Sequence, residues 1–193
     1  MKTTGWIKLF LVAGVLFLFL ILPEVILAQK NTYRNGFMVG GWAGYGQINL
    51  NTSTISNSSH GTFALGFCGG YAIYSKVVMG MELNGWTSKT SNLEDPAEGE
   101  SISNVSIFLN YFPVENLPLF LAGGGGKVTY TNNIPDVTGR DKGWSWFVGS
   151  GYEIPVIKRL VIVPQIRYSR GNFTDGNYKV FELALGLKWY SGK

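Results

Sequence analysis

The residues that could carry out covalent chemistry centre on the one histidine of the chain, His60, which has hydroxyl neighbours at Ser58, Ser59 and Thr62. A hydroxyl nucleophile needs a base, and that base needs a third group to orient it. The carboxylates that could reach it belong to the next polar segment: Glu94, Asp95, Glu98 and Glu100. A histidine flanked by serines in a polar loop is more typical of a solvated surface. The sequence therefore predicts no catalytic residue and no enzyme, with ester hydrolysis or deacylation through His60 as a remote alternative.

Two further groups could bind a metal ion or react covalently. The acidic segment 92–100 could bind a divalent cation, but its spacing lacks the pattern of a calcium-binding loop. Cys68 is the one cysteine, so it cannot form an intrachain disulfide. Its neighbours Gly66 and Gly70 place it on a face of small residues, which indicates a buried and unreactive thiol. The sequence predicts neither a metal nor a cofactor.

The stretch 178–190 shows what kind of element holds the remaining polar groups. Its odd positions are large and apolar: Phe181, Leu183, Leu185, Leu187 and Trp189. Its even positions are small, charged or amphipathic: Val180, Glu182, Ala184, Gly186, Lys188 and Tyr190. This period of two predicts a strand with two unlike faces, and its length suits a tilted strand that crosses a bilayer. We expect the apolar set to face lipid and the small and charged set to face an enclosed interior.

Eight runs of this kind follow one another along the chain. They span 37–47, 62–74, 77–86, 103–112, 119–130, 143–154, 160–170 and 178–190. Short connections at 74–76, 113–118 and 155–159 alternate with longer polar ones at 48–61, 87–102, 131–142 and 171–177. Such alternation is typical of outer-membrane barrels with tight periplasmic turns, and it predicts an antiparallel up-and-down barrel with both termini periplasmic. Pro164 predicts a bulge or a missing bond in the seventh run, because proline cannot donate to a ladder.

The charges on the inner faces are few, and their heights can be counted from the short turns. Glu82, Gln165 and Arg167 lie at similar heights, which predicts an ion pair between Arg167 and Glu82. We expect Gln165 and Asn110 to help satisfy that pair and Glu182 to join it from the neighbouring strand. Glu153 and Lys188 lie near the periplasmic end and predict a second, lower pair. An unpaired charge in such a site costs several kcal/mol, so pairing is expected.

The segment 1–28 has the parts of a secretory signal. Lys2 and Lys8 precede an uncharged apolar run, 9–22, and Ala28 follows a break at Pro23. Such a segment is removed and takes no part in the fold. The sequence therefore predicts a signal peptide at 1–28 and one barrel domain at 29–193. Lysine and arginine are scattered singly over a chain of net charge +4, which argues against nucleic-acid binding.

The chain resembles the small eight-stranded outer-membrane barrels of the OmpX-like and OmpA transmembrane-domain type, and in particular the outer membrane protein beta-barrel domain family common in Bacteroidetes. The segments that carry the resemblance are 27–29, 118–125, 149–153, 164–169 and 184–187. It implies a transmembrane barrel in the outer membrane of a Gram-negative bacterium, inserted by the barrel assembly machinery, surrounded by outer-membrane lipid and lipopolysaccharide, and monomeric. Such barrels usually end on an aromatic residue, whereas here Ser191, Gly192 and Lys193 follow Tyr190.

Two main functions follow from this reading. The first is a non-enzymatic barrel with a plugged polar lumen that presents surface loops for adhesion or interaction, or supports membrane integrity. The second is a narrow porin-like channel for ions or small solutes. A lipid-modifying outer-membrane enzyme that uses His60 is the remote third. Eight strands leave an interior just wide enough for side chains to fill, which favours the plugged barrel.

Overall fold

The computed structural model of the chain describes residues 34–52, 58–88, 100–114, 117–132 and 139–192. The predicted signal peptide, 1–28, and the acidic segment around residues 92–99 lie outside these ranges. The described part is all β, with nine assigned strands. Their bounds are β1 Gly36–Thr52, β2 Ser58–Tyr74, β3 Val77–Ser88, β4 Glu100–Tyr111, β5 Leu119–Asn132, β6 Gly139–Tyr152, β7 Ile154–Ile157, β8 Leu160–Phe173 and β9 Gly176–Tyr190.

The strands form a closed antiparallel barrel with eight positions around its wall. Each strand pairs with the next along the chain, except that β6 pairs with β8 and not with β7, and β1 also pairs with β9. The short strand β7 continues the line of β6 after a one-residue break at Glu153, and both pair with β8. The predicted eight-stranded up-and-down barrel is therefore confirmed. No described segment is a helix with the length and apolarity needed to cross a bilayer.

The alternation in the sequence becomes the two faces of the wall. In β9 the leucines at 183 and 185 are each 60% exposed on the outside, whereas Glu182 and Tyr190 are buried inside. The bulky Trp42 lies on the inner face of β1, among the smaller residues of that face. The apolar face thus points outward, as the sequence predicts.

Several strands run further than the periodic pattern indicates, always at the end with the longer connections. β1 continues to Thr52, β8 continues to Phe173, and β9 begins at Gly176. The predicted longer connection at 171–177 is wrong, because a tight turn at residues 174–175 joins β8 to β9. At these strand ends the alternation reverses, because Ile48 and Leu50 are buried in the lumen while Asn49 and Asn51 face outward. A pattern that looks for an outward apolar set therefore ends before the strand does.

The ladder on one edge of β8 is interrupted beside Pro164. β6 pairs with β8 as far as Gly151 opposite Gln165, and pairing resumes at Ile154 opposite Ile162. The register is the same on both sides of the gap, and the other edge of β8 pairs with β9 without a break. Of the two predicted outcomes at Pro164, a locally missing bond occurs and a bulge does not. The backbone N–H of Glu153 donates to the carbonyl oxygen of Pro118 at 2.9 Å and so continues the β5–β6 ladder past this gap.

Candidate functional site

The inner face of the barrel carries an ion pair that spans the lumen. Arg167 on β8 donates from Nη1 to Oε2 of Glu82 on β3 at 3.1 Å, and its Nη2 contacts Oε1 of the same carboxylate. β3 and β8 lie on opposite sides of the eight-position wall. Both side chains are buried, with 6% and 5% of their surface exposed. The two-point geometry fits a guanidinium fork and a carboxylate, which is the strong form of this interaction.

Aromatic rings complete the surroundings of Arg167. Its guanidinium carbon lies 3.6 Å from the centre of the Phe147 ring and 5.4 Å from the Trp42 ring. A cation over an aromatic face gains electrostatic attraction, most strongly when water is excluded. The arginine is therefore held by a carboxylate at its tip and by a ring along its plane.

The other residues expected around this pair are placed differently. Glu182 is next to Arg167 across the β8–β9 ladder, yet its Oε2 accepts from Trp86 Nε1 at 2.9 Å. Gln165 and Asn110 line the same small cavity as the pair, but no hydrogen bond in the described part of the chain joins either of them to Arg167 or Glu82. The expectation that they satisfy the pair is wrong in this respect. Side chains at the same height can border one cavity without reaching each other.

A second network closes the end of the barrel that has the short turns. Lys188 Nζ lies 3.3 Å from Glu153 Oε1, so the two residues expected to pair are in contact. The same carboxylate also accepts from Tyr190 Oη at 2.7 Å and, through Oε2, from Arg34 Nε at 3.0 Å. Arg34 stacks on Phe112, with 3.7 Å between its guanidinium carbon and the ring centre. The sequence did not predict that Arg34 joins this network. Arg34 precedes the first periodic run, so alternation does not show which way its side chain points.

The buried charges of the described chain balance in number. Three carboxylates, Glu82, Glu153 and Glu182, accompany three cations, Arg34, Arg167 and Lys188. Balance of this kind lets the low-dielectric interior hold six ionisable groups without a net charge.

Apolar side chains pack inside the barrel in two clusters. One, near the short turns, includes Met38, Phe112 and Phe120, and the other, near the opposite end, includes Leu50, Trp86 and Tyr178. Between them a cavity of about 30 Å³ is bordered by Glu82, Arg167 and Lys188 among others. That is room for roughly one water molecule.

The reactive groups singled out in the sequence are covered only in part by the described structure. Cys68 borders the small cavity, and its Sγ lies 3.9 Å from the sulfur of Met38. His60 lies in β2 and not in a loop, although its side chain is outside the described set, as are residues 89–99. Among the described residues no three potential metal ligands of the His, Cys, Asp or Glu type come together.

Comparison with known proteins identifies the fold. No protein-family model matches the chain, and no curated protein sequence does. The solved structure of Neisserial surface protein A is 16% identical, with a TM-score of 0.62, and the match covers 81% of this chain and 97% of that one. Ail, the attachment invasion locus protein of Yersinia pestis, is 14% identical, with a TM-score of 0.50 and coverage of 80% and 99%.

A third similar structure is the outer membrane protein AlkL, determined in lipid bilayers. It is 14% identical to this chain, with a TM-score of 0.54, and the match covers 86% of this chain and 95% of AlkL. At these identities the similarity shows the fold alone, which is that of the small eight-stranded outer-membrane barrels. The closer resemblance to a Bacteroidetes family stays a prediction.

Proposed function

Because the chain has the fold of the small outer-membrane barrels, we propose that it spans the outer membrane of a Gram-negative bacterium as a closed, non-enzymatic barrel that does not conduct. In this proposal both termini lie on the periplasmic side. The proposed role is surface interaction or support of the membrane. It depends on the outer surface of the barrel and on the strand ends that extend beyond the bilayer. The packed lumen is the observation that carries the proposal.

The outer face supports a membrane location. Large apolar side chains that are exposed surround the wall, including Met81 on β3, Ile107 on β4 and Leu185 on β9, each at 60%. Soluble monomers rarely expose apolar patches of more than a few hundred Å². Towards the far end the outward residues become polar, as at Gln47, Asn49 and Asn51 on β1. A bilayer core matched to the apolar part would leave those ends in the headgroup region and beyond.

The lumen supports a closed barrel over a narrow channel. An ion that entered would have to pass two clusters of buried apolar side chains and the Arg167–Glu82 pair that bridges opposite walls. The cavity between the clusters has room for only about one water. Stripping an ion of its hydration in such surroundings is costly unless its charge is compensated.

Conductance in planar bilayers tests the proposal. The purified protein, inserted in its folded form, is expected to give no unitary current steps. Stable steps that change in size or disappear when both Arg167 and Glu82 are replaced by alanine would favour the channel and overturn the closed barrel. Heat-modifiable gel migration and fractionation with the outer membrane establish in the same preparation that the protein is folded and correctly located.

A further inference from the structure

Five exposed cations lie on the outer face of neighbouring strands, at the end away from the short turns. We refer to these as the basic rim: Lys127 on β5, Arg140 and Lys142 on β6, Arg170 on β8 and Lys179 on β9. These strands are consecutive around the barrel. At comparable heights the described outward residues of β1 to β4 are uncharged, as Gln47, Phe63, Thr87 and Ser101 are. The positive charge therefore occupies one side of the barrel.

The height of the basic rim matches the boundary of the apolar face. At the short-turn end of the barrel, β5 begins at Leu119, β8 begins at Leu160 and β9 ends at Tyr190. A transmembrane strand needs about 9–11 residues to cross the hydrocarbon core. We counted residues inclusively from each of those three strand ends to the rim cation on the same strand. On β5, β8 and β9 the count falls within this range or just above it. The rim thus falls where the headgroups of the outer leaflet would be.

Two of these cations face each other directly. Arg170 and Lys179 are register partners across the β8–β9 ladder. Like charges directly opposite each other destabilise a sheet. In the described structure neither residue forms a salt bridge. The acidic Asp141 nearby uses its carboxylate oxygens to accept from the backbone N–H groups of Lys142 and Asp175. Within the described residues this pair of cations has no salt-bridge partner, which leaves both side chains available to an anion from outside.

Exposed tryptophans alternate with the cations. Trp144 is 68% exposed and is the register partner of Lys127, and Trp146 is 46% exposed and is the register partner of Arg170. Trp146 also packs against Tyr168, with 5.8 Å between ring centres. Tryptophan and tyrosine prefer the interface between hydrocarbon and headgroups. Their position beside the cations suits a ligand that carries both negative charge and acyl chains.

We propose that the basic rim binds the phosphate groups of a phosphorylated lipid of the outer leaflet, with the acyl chains of that lipid lying against Trp144 and Trp146. This inference rests on the membrane location proposed above. Arginine suits two-point contacts with phosphate oxygens, and lysine adds point charge. One phosphate monoester carries about two negative charges at most, so five cations fit a lipid with more than one phosphate, such as lipid A.

Binding of lipid A to the folded protein tests the inference. Full-length protein in zwitterionic detergent micelles is titrated with bisphosphorylated lipid A and, separately, with the same lipid after removal of both phosphates, with tryptophan fluorescence as the readout. Each lysine or arginine near an anionic surface contributes roughly a fivefold change in affinity. The double substitution Arg170→Gln and Lys179→Gln is therefore expected to weaken binding roughly 30-fold, and added salt should weaken wild-type binding more than that of the variant.

The matched control removes two exposed cations from the other end of the barrel. Lys158→Gln with Arg159→Gln changes the same charge at the turn between β7 and β8, and its affinity should stay within about twofold of wild type, since surface cations act only within about a Debye length. Equal loss of affinity in this control, or equal binding of the dephosphorylated lipid, would overturn the proposal. Should the rim variant fail to fold, Lys127→Gln with Lys142→Gln removes the same charge from the flank of the rim.

The unfolding temperature is a second readout, and without lipid the rim substitutions are not expected to lower it. Removing the Arg170–Lys179 repulsion should leave the unfolding temperature in neutral detergent unchanged or raised, while lipid A should raise it only in wild type and in the control. If the protein folds and inserts but binds both lipids equally, phosphate binding by the basic rim is contradicted and the proposed function still stands. A protein that does not partition into bilayers contradicts the proposed function.

Discussion

Arg167 is held in the lumen by two different forces at once. Glu82 neutralises its charge, and Phe147 covers the plane of its guanidinium at 3.6 Å. Taking one member of a buried pair away leaves the other charged, buried and unsolvated, whereas replacing both with apolar groups can be nearly neutral. The pair therefore makes it costly to shift β3 along the barrel axis relative to β8, whatever the pair contributes to the free energy of unfolding.

A double-substitution cycle separates these two effects. Arg167→Met alone and Glu82→Met alone are each expected to lower the free energy of unfolding by about 3–5 kcal/mol, because each leaves an uncompensated charge. The double variant should lose much less than the sum. The measurement is reversible urea unfolding in lipid vesicles, followed by gel migration. Additive losses would show that the two residues do not act as a pair.

Alternation and residue counting were sufficient to predict which charged residues meet in the lumen. Glu82, Arg167, Glu153 and Lys188 each sit in a clear period-two run, so both face and height could be read. Arg34 could not be found this way, because it reaches the lumen from outside any strand. The bond from Trp86 to Glu182, and the failure of Gln165 to reach the ion pair, depend on side-chain rotamers and on where the neighbouring aromatic rings lie, which the period does not encode.

At the level of the strand, β5 shows how glycine serves two opposite purposes. Its glycines at 123 and 125 face outward, and those at 124 and 126 face the lumen. A methyl group at Gly124 would meet the carbonyl oxygen of Ile107 and the Phe147 ring, the latter at 2.5 Å. At Gly123 the nearest atom is the Phe147 carbonyl oxygen, at 3.8 Å. The inner glycines make room for the rings that fill the barrel.

Alanine at these two neighbouring positions is expected to have very different effects. Gly124→Ala should lower the free energy of unfolding by about 1–3 kcal/mol, as overpacking of a filled core does. Gly123→Ala should change it by less than about 0.5 kcal/mol, because the new methyl group points away from the lumen. Both variants are unfolded in urea in the same vesicles as wild type. A similar loss in both would mean that the strand tolerates no side chain for a reason other than lumen packing.

Asp141, beyond the apolar face, ties the β8–β9 turn to β6. Its carboxylate accepts from the backbone N–H of Lys142 at 2.7 Å and from that of Asp175 at 2.9 Å. Slight desolvation opposes ionisation, but the hydrogen bonds from Asp175, Thr174 and Lys142 prevail and lower the pKa of Asp141 from its usual 3.8. A lowered folded-state pKa stabilises the folded form above the unfolded pKa, and that contribution is lost as pH falls through the folded value.

This contact should be visible as a pH-dependent signal from the turn. The amide proton resonance of Asp175 is expected to titrate with a midpoint below 3.8, and its hydrogen exchange should speed up once Asp141 is protonated. Asp141→Ala should abolish that titration, because no carboxylate is left to accept the N–H. Asp175→Asn is the matched control, since it keeps the backbone donor and removes a neighbouring charge. A midpoint in the control that moves to the ordinary value would contradict the assignment to Asp141.

For the whole molecule, the sequence contained enough to predict the barrel but not its exact outline. The predicted connections alternate between short and long, and within each run the apolar residues keep to one face. The number of strands and the face that points outward follow from these two patterns. The outer strand ends and the tight turn at 174–175 were missed because the apolar residues change face there: Leu50, Phe173 and Tyr178 point into the lumen and the outward residues are polar. The basic rim was missed as well, since Arg140 and Lys142 fall in a segment that the pattern assigns to a polar connection, and the five cations become neighbours only through the register of β5, β6, β8 and β9.

Whether the outer face meets hydrocarbon can be tested by moving one charge along it. Leu185 lies well inside β9 and is 60% exposed. Leu185→Lys should cost about 2–4 kcal/mol of folding free energy in lipid vesicles, as lysine near the bilayer midplane does in outer-membrane barrels. Asn49→Lys, an outward position on β1 beyond the apolar face, should change it by about 1 kcal/mol or less. In a soluble barrel both lysines would be equally harmless, so equal and small effects would contradict the membrane location and, with it, the phosphate-binding role of the rim.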